Sequence, residues 1–194
     1  PVYSLIGGQV RDELVLYATT SRPDLAKDMG FIGGKMPLLH APGEGDSGFR
    51  DNIKLMEDMR SRVGDDFWLM YDCWMSLDVS YSLKLMNALA EFDLKWLEES
   101  LLPDDYWGYA ELMRRKPKGM MIATGEHEYG LQGFRMLIEM QCCDMIQPDV
   151  GWCGGLTELI KIAALAESKN VMVIPHCSSV YSYHFTVTSH VSPF

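Results

Sequence analysis

The chain has 194 residues, 47% of them hydrophobic, and a formal charge of −10. It is long enough to bury a sizeable core, it carries no basic stripe that would neutralise nucleic-acid phosphates, and no apolar run approaches membrane-spanning length. Its five cysteines, an odd number with no C-x-x-C pair, fit a reducing, cytoplasmic compartment and offer neither a disulfide framework nor a thiolate metal site.

Residues 1–11 read as the tail of a helix closed by Gly7 and Gly8, and 13–18 as a first strand. A short helix over 22–29 carries Pro23 near its start, the place that tolerates proline. Residues 31–36 read as a second strand, whose Gly33 and Gly34 point to something approaching the backbone closely. The breaker-rich stretch 37–48 is the longest loop. Helical spacing follows over 49–62, then a third strand over 67–72. Helices at 79–91, 105–115, 131–141 and 156–168 then alternate with strands at 95–98, 120–124, 144–149 and 171–176, and 179–190 is again helical. Such alternation implies an α/β fold with a parallel sheet, and the unit count favours a (β/α) barrel, TIM-like, over an open sheet. A complete (β/α)₈ barrel needs about 250 residues. The expectation is therefore an incomplete barrel over 1–194, strands one to seven, belonging to a larger polypeptide whose eighth strand lies beyond Phe194.

Three of these strands end in an acid: Asp72 after Phe67–Tyr71, Glu98 after Trp96–Leu97, and Glu126 after Met120–Gly125. The intervals of 26 and 28 residues match one strand, one returning helix and two loops. All three would then stand at the C-terminal end of a parallel barrel, where active sites sit. Neighbouring strands lie about 4.8 Å apart, so the carboxylates can converge, and a hard divalent cation is the usual remedy for their repulsion. Any one such acid is commonly a helix N-cap or a solvated loop residue; three at matched spacing point to a Mg²⁺ site. Glu99 beside Glu98 leaves that choice partly to register, while Asp78, Asp104 and Asp105 lie further into their loops and read as caps.

Asp149 and His176 recur one unit apart on the next two strand ends. A carboxylate beside an imidazole fixes its tautomer and raises its basicity, which prepares a general base. His127 directly follows Glu126 and reads as a substrate contact or a partner of the metal acids; Lys35 ends strand two and reads as a second base or a substrate clamp. His40 reads as a surface residue, Cys177 as a buried structural thiol, and the Met and Trp content as core. The turn 151–155 lacks the glycine spacing of a dinucleotide fingerprint.

These residues resemble a known set. Asp72, Glu98 and Glu126 resemble the metal triad of the enolase superfamily, and Asp149 with His176 the Asp–His dyad of its mandelate racemase branch. The local wording Tyr-Asp-Cys-Trp-Met (71–75), Trp-Leu-Glu-Glu (96–99), Asp-Asp-Tyr-Trp-Gly (104–108), Gly-Glu-His-Glu-Tyr-Gly (125–130) and Gln-Pro-Asp-Val-Gly-Trp-Cys-Gly-Gly (147–155) is similar to that branch's L-rhamnonate dehydratase subgroup. The resemblance implies a small-molecule acid-sugar substrate, an aldonate, bound through Mg²⁺. His176 would abstract the C2 proton, the metal would stabilise the enediolate, and loss of the C3 hydroxyl would give a 2-keto-3-deoxy acid. It also implies a homo-oligomer and an N-terminal capping domain, which these residues do not include. Racemases of the branch carry Lys-x-Lys on strand two; the single Lys35 favours dehydration. Ser100 stands where the family usually has proline. The alternatives are another acid-sugar dehydratase or racemase of the superfamily, a catalytically silent metal-binding barrel, and a glycosidase using paired strand-end acids.

Overall fold

A computed structural model describes residues 1–176 and 180–194. The chain forms two compact units, one of residues 16–122 and one in which 1–15 join 123–194. Among the described residues it carries seven strands alternating with helices in chain order.

In the first unit, β1 (Ala18–Thr19), β2 (Gly33–Pro37), β3 (Trp68–Asp72) and β4 (Leu94–Glu98) pair in parallel, each with the next in sequence. The returning helices are α1 (Pro23–Asp28), α2 (Gly45–Val63), α3 (Val79–Leu89) and α4 (Tyr106–Arg115). Leu69, Met70, Tyr71, Trp96 and Leu97 are fully buried, as expected of parallel strands covered on both faces. The first strand is shorter than the expected 13–18, although Ile32 already donates its backbone N–H to Leu16. The long loop is shorter too. A 3₁₀ turn over Pro42–Glu44 takes up part of it, and α2 begins at Gly45, four residues before the apolar periodicity does.

The close approach expected at the β2 glycines is made by α1 and β3. A Cβ on Gly34 would stand 2.6 Å from Pro23 Cβ, and one on Gly33 would stand 2.8 Å from Trp68 Cβ. Asp78 caps α3 by accepting the N–H of Tyr81, and Asp105 caps α4 through Gly108. At the far end of α2, Arg60 donates to the carbonyls of Gly64, Phe67, Phe92 and Asp93. This one guanidinium ties the end of α2 to the start of β3 and to the turn before β4.

β5 (Met121–Thr124) crosses the boundary between the units. In the second unit its Ala123 and Thr124 pair in parallel with β6 (Met145–Ile146), and β6 with β7 (Met172–Val173). The helices are α5 (Gly130–Glu139), α6 (Leu156–Glu167) and α7 (Val180–Thr186). The last two strands are far shorter than the expected 144–149 and 171–176. Pro148 and Pro175 have no N–H to give a ladder, yet the chain keeps its course. Gln147 N–H reaches Thr124, Ile174 N–H reaches Ile146, and His176 N–H reaches Pro148. Phe134, Leu137, Ile146, Leu159 and Ile162 fill the core. Arg11 draws the N-terminal segment, a 3₁₀ turn over Val2–Leu5, against the C-terminal one by donating to the carbonyls of Ser189 and Ser192. No helix among the described residues is long and apolar enough to cross a membrane.

Candidate active site

The first unit brings Lys35, Asp72 and Glu98 together. Asp72 and Glu98 are direct partners in the β3–β4 register, so their side chains leave adjacent strands at one level. Lys35 Nζ contacts Glu98 Oε1 and lies 3.2 Å from Asp72 Oδ2. The remaining oxygens are also held. Trp96 Nε1 donates to Glu98 Oε2 at 2.9 Å, and the backbone N–H of Trp74 donates to Asp72 Oδ1 at 3.1 Å. Glu98 is fully buried and Lys35 is 3% exposed. Burial disfavours the ammonium, but the charges of Glu98, Tyr17 and Asp72 and the bond to Glu98 outweigh it, so the lysine pKa is raised. Lys35 is thus held protonated.

Register makes Glu98, not Glu99, the partner of Asp72. Glu98 ends the strand, while Glu99 follows it with φ 45° and is likewise buried. Trp74 and Met75 also have positive φ, at 43° and 63°. The loop after β3 runs beside the loop after β4 through the bonds Cys73 N to Glu98 O, Met75 N to Glu99 O and Leu77 N to Ser100 O. Three non-glycine residues in the left-handed region are costly, and such strain gathers where surrounding contacts fix a functional geometry.

The second unit brings Glu126, His127, Asp149 and His176 together. His176 Nδ1 lies 2.9 Å from Asp149 Oδ2. The other carboxylate oxygen of Asp149 accepts the N–H groups of Gly151 and Trp152 in the turn that follows. The turn therefore fixes the carboxylate, and the carboxylate fixes the imidazole. With Nδ1–H donating to Asp149, Nε2 is the basic nitrogen, and it stands 3.4 Å from Glu126 Oε2. His127 Nδ1 lies 3.5 Å from Glu126 Oε1.

Two tryptophans were not legible as site residues. Trp152 is 57% exposed rather than core, and its ring lies 5.6 Å from that of His127 and 6.0 Å from that of His176. Its place three residues after Asp149, in a glycine-rich turn, was the available signal. Trp74 and Trp107 are exposed as well, so the reading of all tryptophans as core is corrected. Trp96 is buried as expected, but its indole also serves Glu98. His40 pairs with Glu44 at 2.8 Å, and Cys177 lies outside the described residues.

Chemically, the first cluster offers hard oxygen donors already gathered on a cation, and the second an oriented imidazole base. Comparison with known proteins agrees with the fold. The Enolase C-terminal domain-like family matches residues 24–193. An L-rhamnonate dehydratase of Saccharopolyspora erythraea is 63% identical over all 194 residues, which cover 50% of that protein. The crystal structure of rhamnonate dehydratase from Gibberella zeae complexed with Mg is 48% identical with a TM-score of 0.97, over 100% of this chain and 48% of that one. The 3,6-anhydro-D-galactonate cycloisomerase from Zobellia galactanivorans is 30% identical with a TM-score of 0.89, over 98% of this chain and 56% of that one. The chain thus spans about half the length of the relatives it matches. With strands and helices in that order and a match that runs through nearly all of them, the chain belongs to the enolase C-terminal domain-like family, and its fold class is the α/β barrel of that family, incomplete within these residues.

Proposed function

We propose that the chain is the barrel part of a Mg²⁺-dependent acid-sugar dehydratase, a hydro-lyase acting on an aldonate, with L-rhamnonate the substrate to test first. The likeness to rhamnonate dehydratases supports the substrate class. The observation that carries the mechanism is the Asp149–His176 pair at 2.9 Å, which orients the imidazole that would act as the base.

Asp72, Glu98 and Glu126 would hold the metal. The donor set fits, because Asp72 and Glu98 present carboxylate oxygens to one cation, the Lys35 ammonium, and a hard divalent ion takes such oxygens. When bound, Mg²⁺ supplies positive charge beside the substrate carboxylate, which makes the proton on C2 removable. His176 Nε2 takes that proton, and Asp149 stabilises the imidazolium that forms. The same imidazolium then gives its proton to the C3 hydroxyl, which leaves as water. The resulting C2–C3 enol takes up a proton at C3 and becomes a 2-keto-3-deoxy acid. Lys35, an ammonium beside both acids, suits a cationic contact to the substrate. Trp152, whose ring lies beside those of His127 and His176, would contact the substrate together with His127.

The test is incubation of the full polypeptide that carries this chain with Mg²⁺ and a panel of acid sugars, read as 2-keto acid with and without EDTA. Keto acid from L-rhamnonate that disappears with EDTA is the expected result. Keto acid that still forms after chelation overturns the metal assignment, and silence on every acid sugar overturns the dehydratase reading.

A further inference from the structure

Lys35 is an expensive residue to bury. It sits within β2, register partner of Met70, with its side chain almost wholly withdrawn from solvent. A buried ammonium is tolerated only when paired. Here both of its carboxylate partners are acids assigned above to the metal. The same two acids, side by side in register, would repel each other if no cation stood between them. Neither requirement is met without the other.

We propose that Lys35 is a built-in counter-cation of the metal acids: its ammonium holds Asp72 and Glu98 in place when no divalent ion is bound, and Mg²⁺ binds by displacing it. Metal loading is then a cation exchange. The four-carbon stem lets the ammonium withdraw while the stem stays packed in the strand. Two consequences follow in opposite directions. Without metal, Lys35 protects the site from carboxylate repulsion. With metal, its charge remains nearby and weakens the ion's hold. A residue that only braced the ligands would help in both states. The inference rests on the reading of Asp72 and Glu98 as Mg²⁺ ligands.

The experiment compares the full polypeptide with its Lys35→Met and Lys35→Gln variants, using MgCl₂ alone as the probe. Thermal melting is followed with EDTA and with saturating Mg²⁺, and Mg²⁺ affinity is taken from calorimetric titration. Both variants should melt below the unaltered protein in EDTA, and most of that gap should close in Mg²⁺. Their Mg²⁺ Kd should tighten about tenfold or more, because the competing charge a few ångström away is gone. A variant that folds only with Mg²⁺ present supports the same conclusion. Unchanged or weaker Mg²⁺ binding in the variants overturns it, as does a pair of variants that fail to fold even with Mg²⁺. If the unaltered protein shows no Mg²⁺ response at all, the metal reading itself fails; a normal response without tightening in the variants sinks the exchange alone.

Discussion

Asp149 divides its two carboxylate oxygens between two tasks. One accepts the N–H groups of Gly151 and Trp152, and the other faces His176 Nδ1. Asp149→Asn should keep the turn but present the wrong partner to the imidazole. We expect kcat to fall by roughly 10²–10⁴ while Mg²⁺ affinity is unchanged, a split that steady-state kinetics and calorimetry read separately. Ser100 makes the opposite kind of prediction. Its hydroxyl is fully buried without a hydrogen-bond partner among the described residues. Ser100→Ala should therefore raise stability by about 1 kcal/mol, seen as a higher midpoint in urea. The acids and the histidine of the clusters could be picked out in the sequence because each follows an apolar run at a repeated interval. Trp152 was not, because its role depends on a turn geometry that spacing does not encode. Nor could the sequence show that Trp96 spends its indole N–H on Glu98, since a buried tryptophan reads as core whichever way it points.

The elements were legible where periodicity and length agreed. β3 and β4 differ from the expected bounds by one residue at their starts, and α3 to α6 begin within a residue of expectation. β6 and β7 were overestimated because the apolar runs continue through prolines that cannot join a ladder. The N-terminal turns of α2 were missed because Gly45, Asp46 and Ser47 read as loop, although the helix closes with Gly64 at φ 74°. What the sequence could not show is how the elements are tied together. Arg60 reads as an exposed helix charge, yet it donates to four carbonyls beyond its helix. Arg60→Met should cost about 2–3 kcal/mol in urea unfolding, because those charge-assisted bonds are lost together. At Gly34 the clash of an added Cβ is with Pro23 Cβ and Cα, which cannot swing away. Gly34→Ala should then cost about 1–3 kcal/mol and loosen α1 from β2, measurable as faster amide exchange in both elements.

For the whole molecule, the α/β class and the succession of strands were readable because a parallel sheet repeats one unit, and the repeat carried the acids with it. The two compact units into which the chain divides left no mark in composition, since helices and strands alternate evenly across residues 122 and 123. Family membership explains why so little of the chain departs from expectation. The homo-oligomer that the resemblance implies is tested by light scattering on the polypeptide that carries this chain. The central claim is that His176 removes the C2 proton in a reaction that also needs Mg²⁺. The most direct measurement is His176→Asn in the full polypeptide, assayed for 2-keto acid from L-rhamnonate beside a calorimetric Mg²⁺ titration. Loss of keto acid with Mg²⁺ binding intact is the predicted result. Keto acid formed at the unaltered rate by the variant would contradict the account.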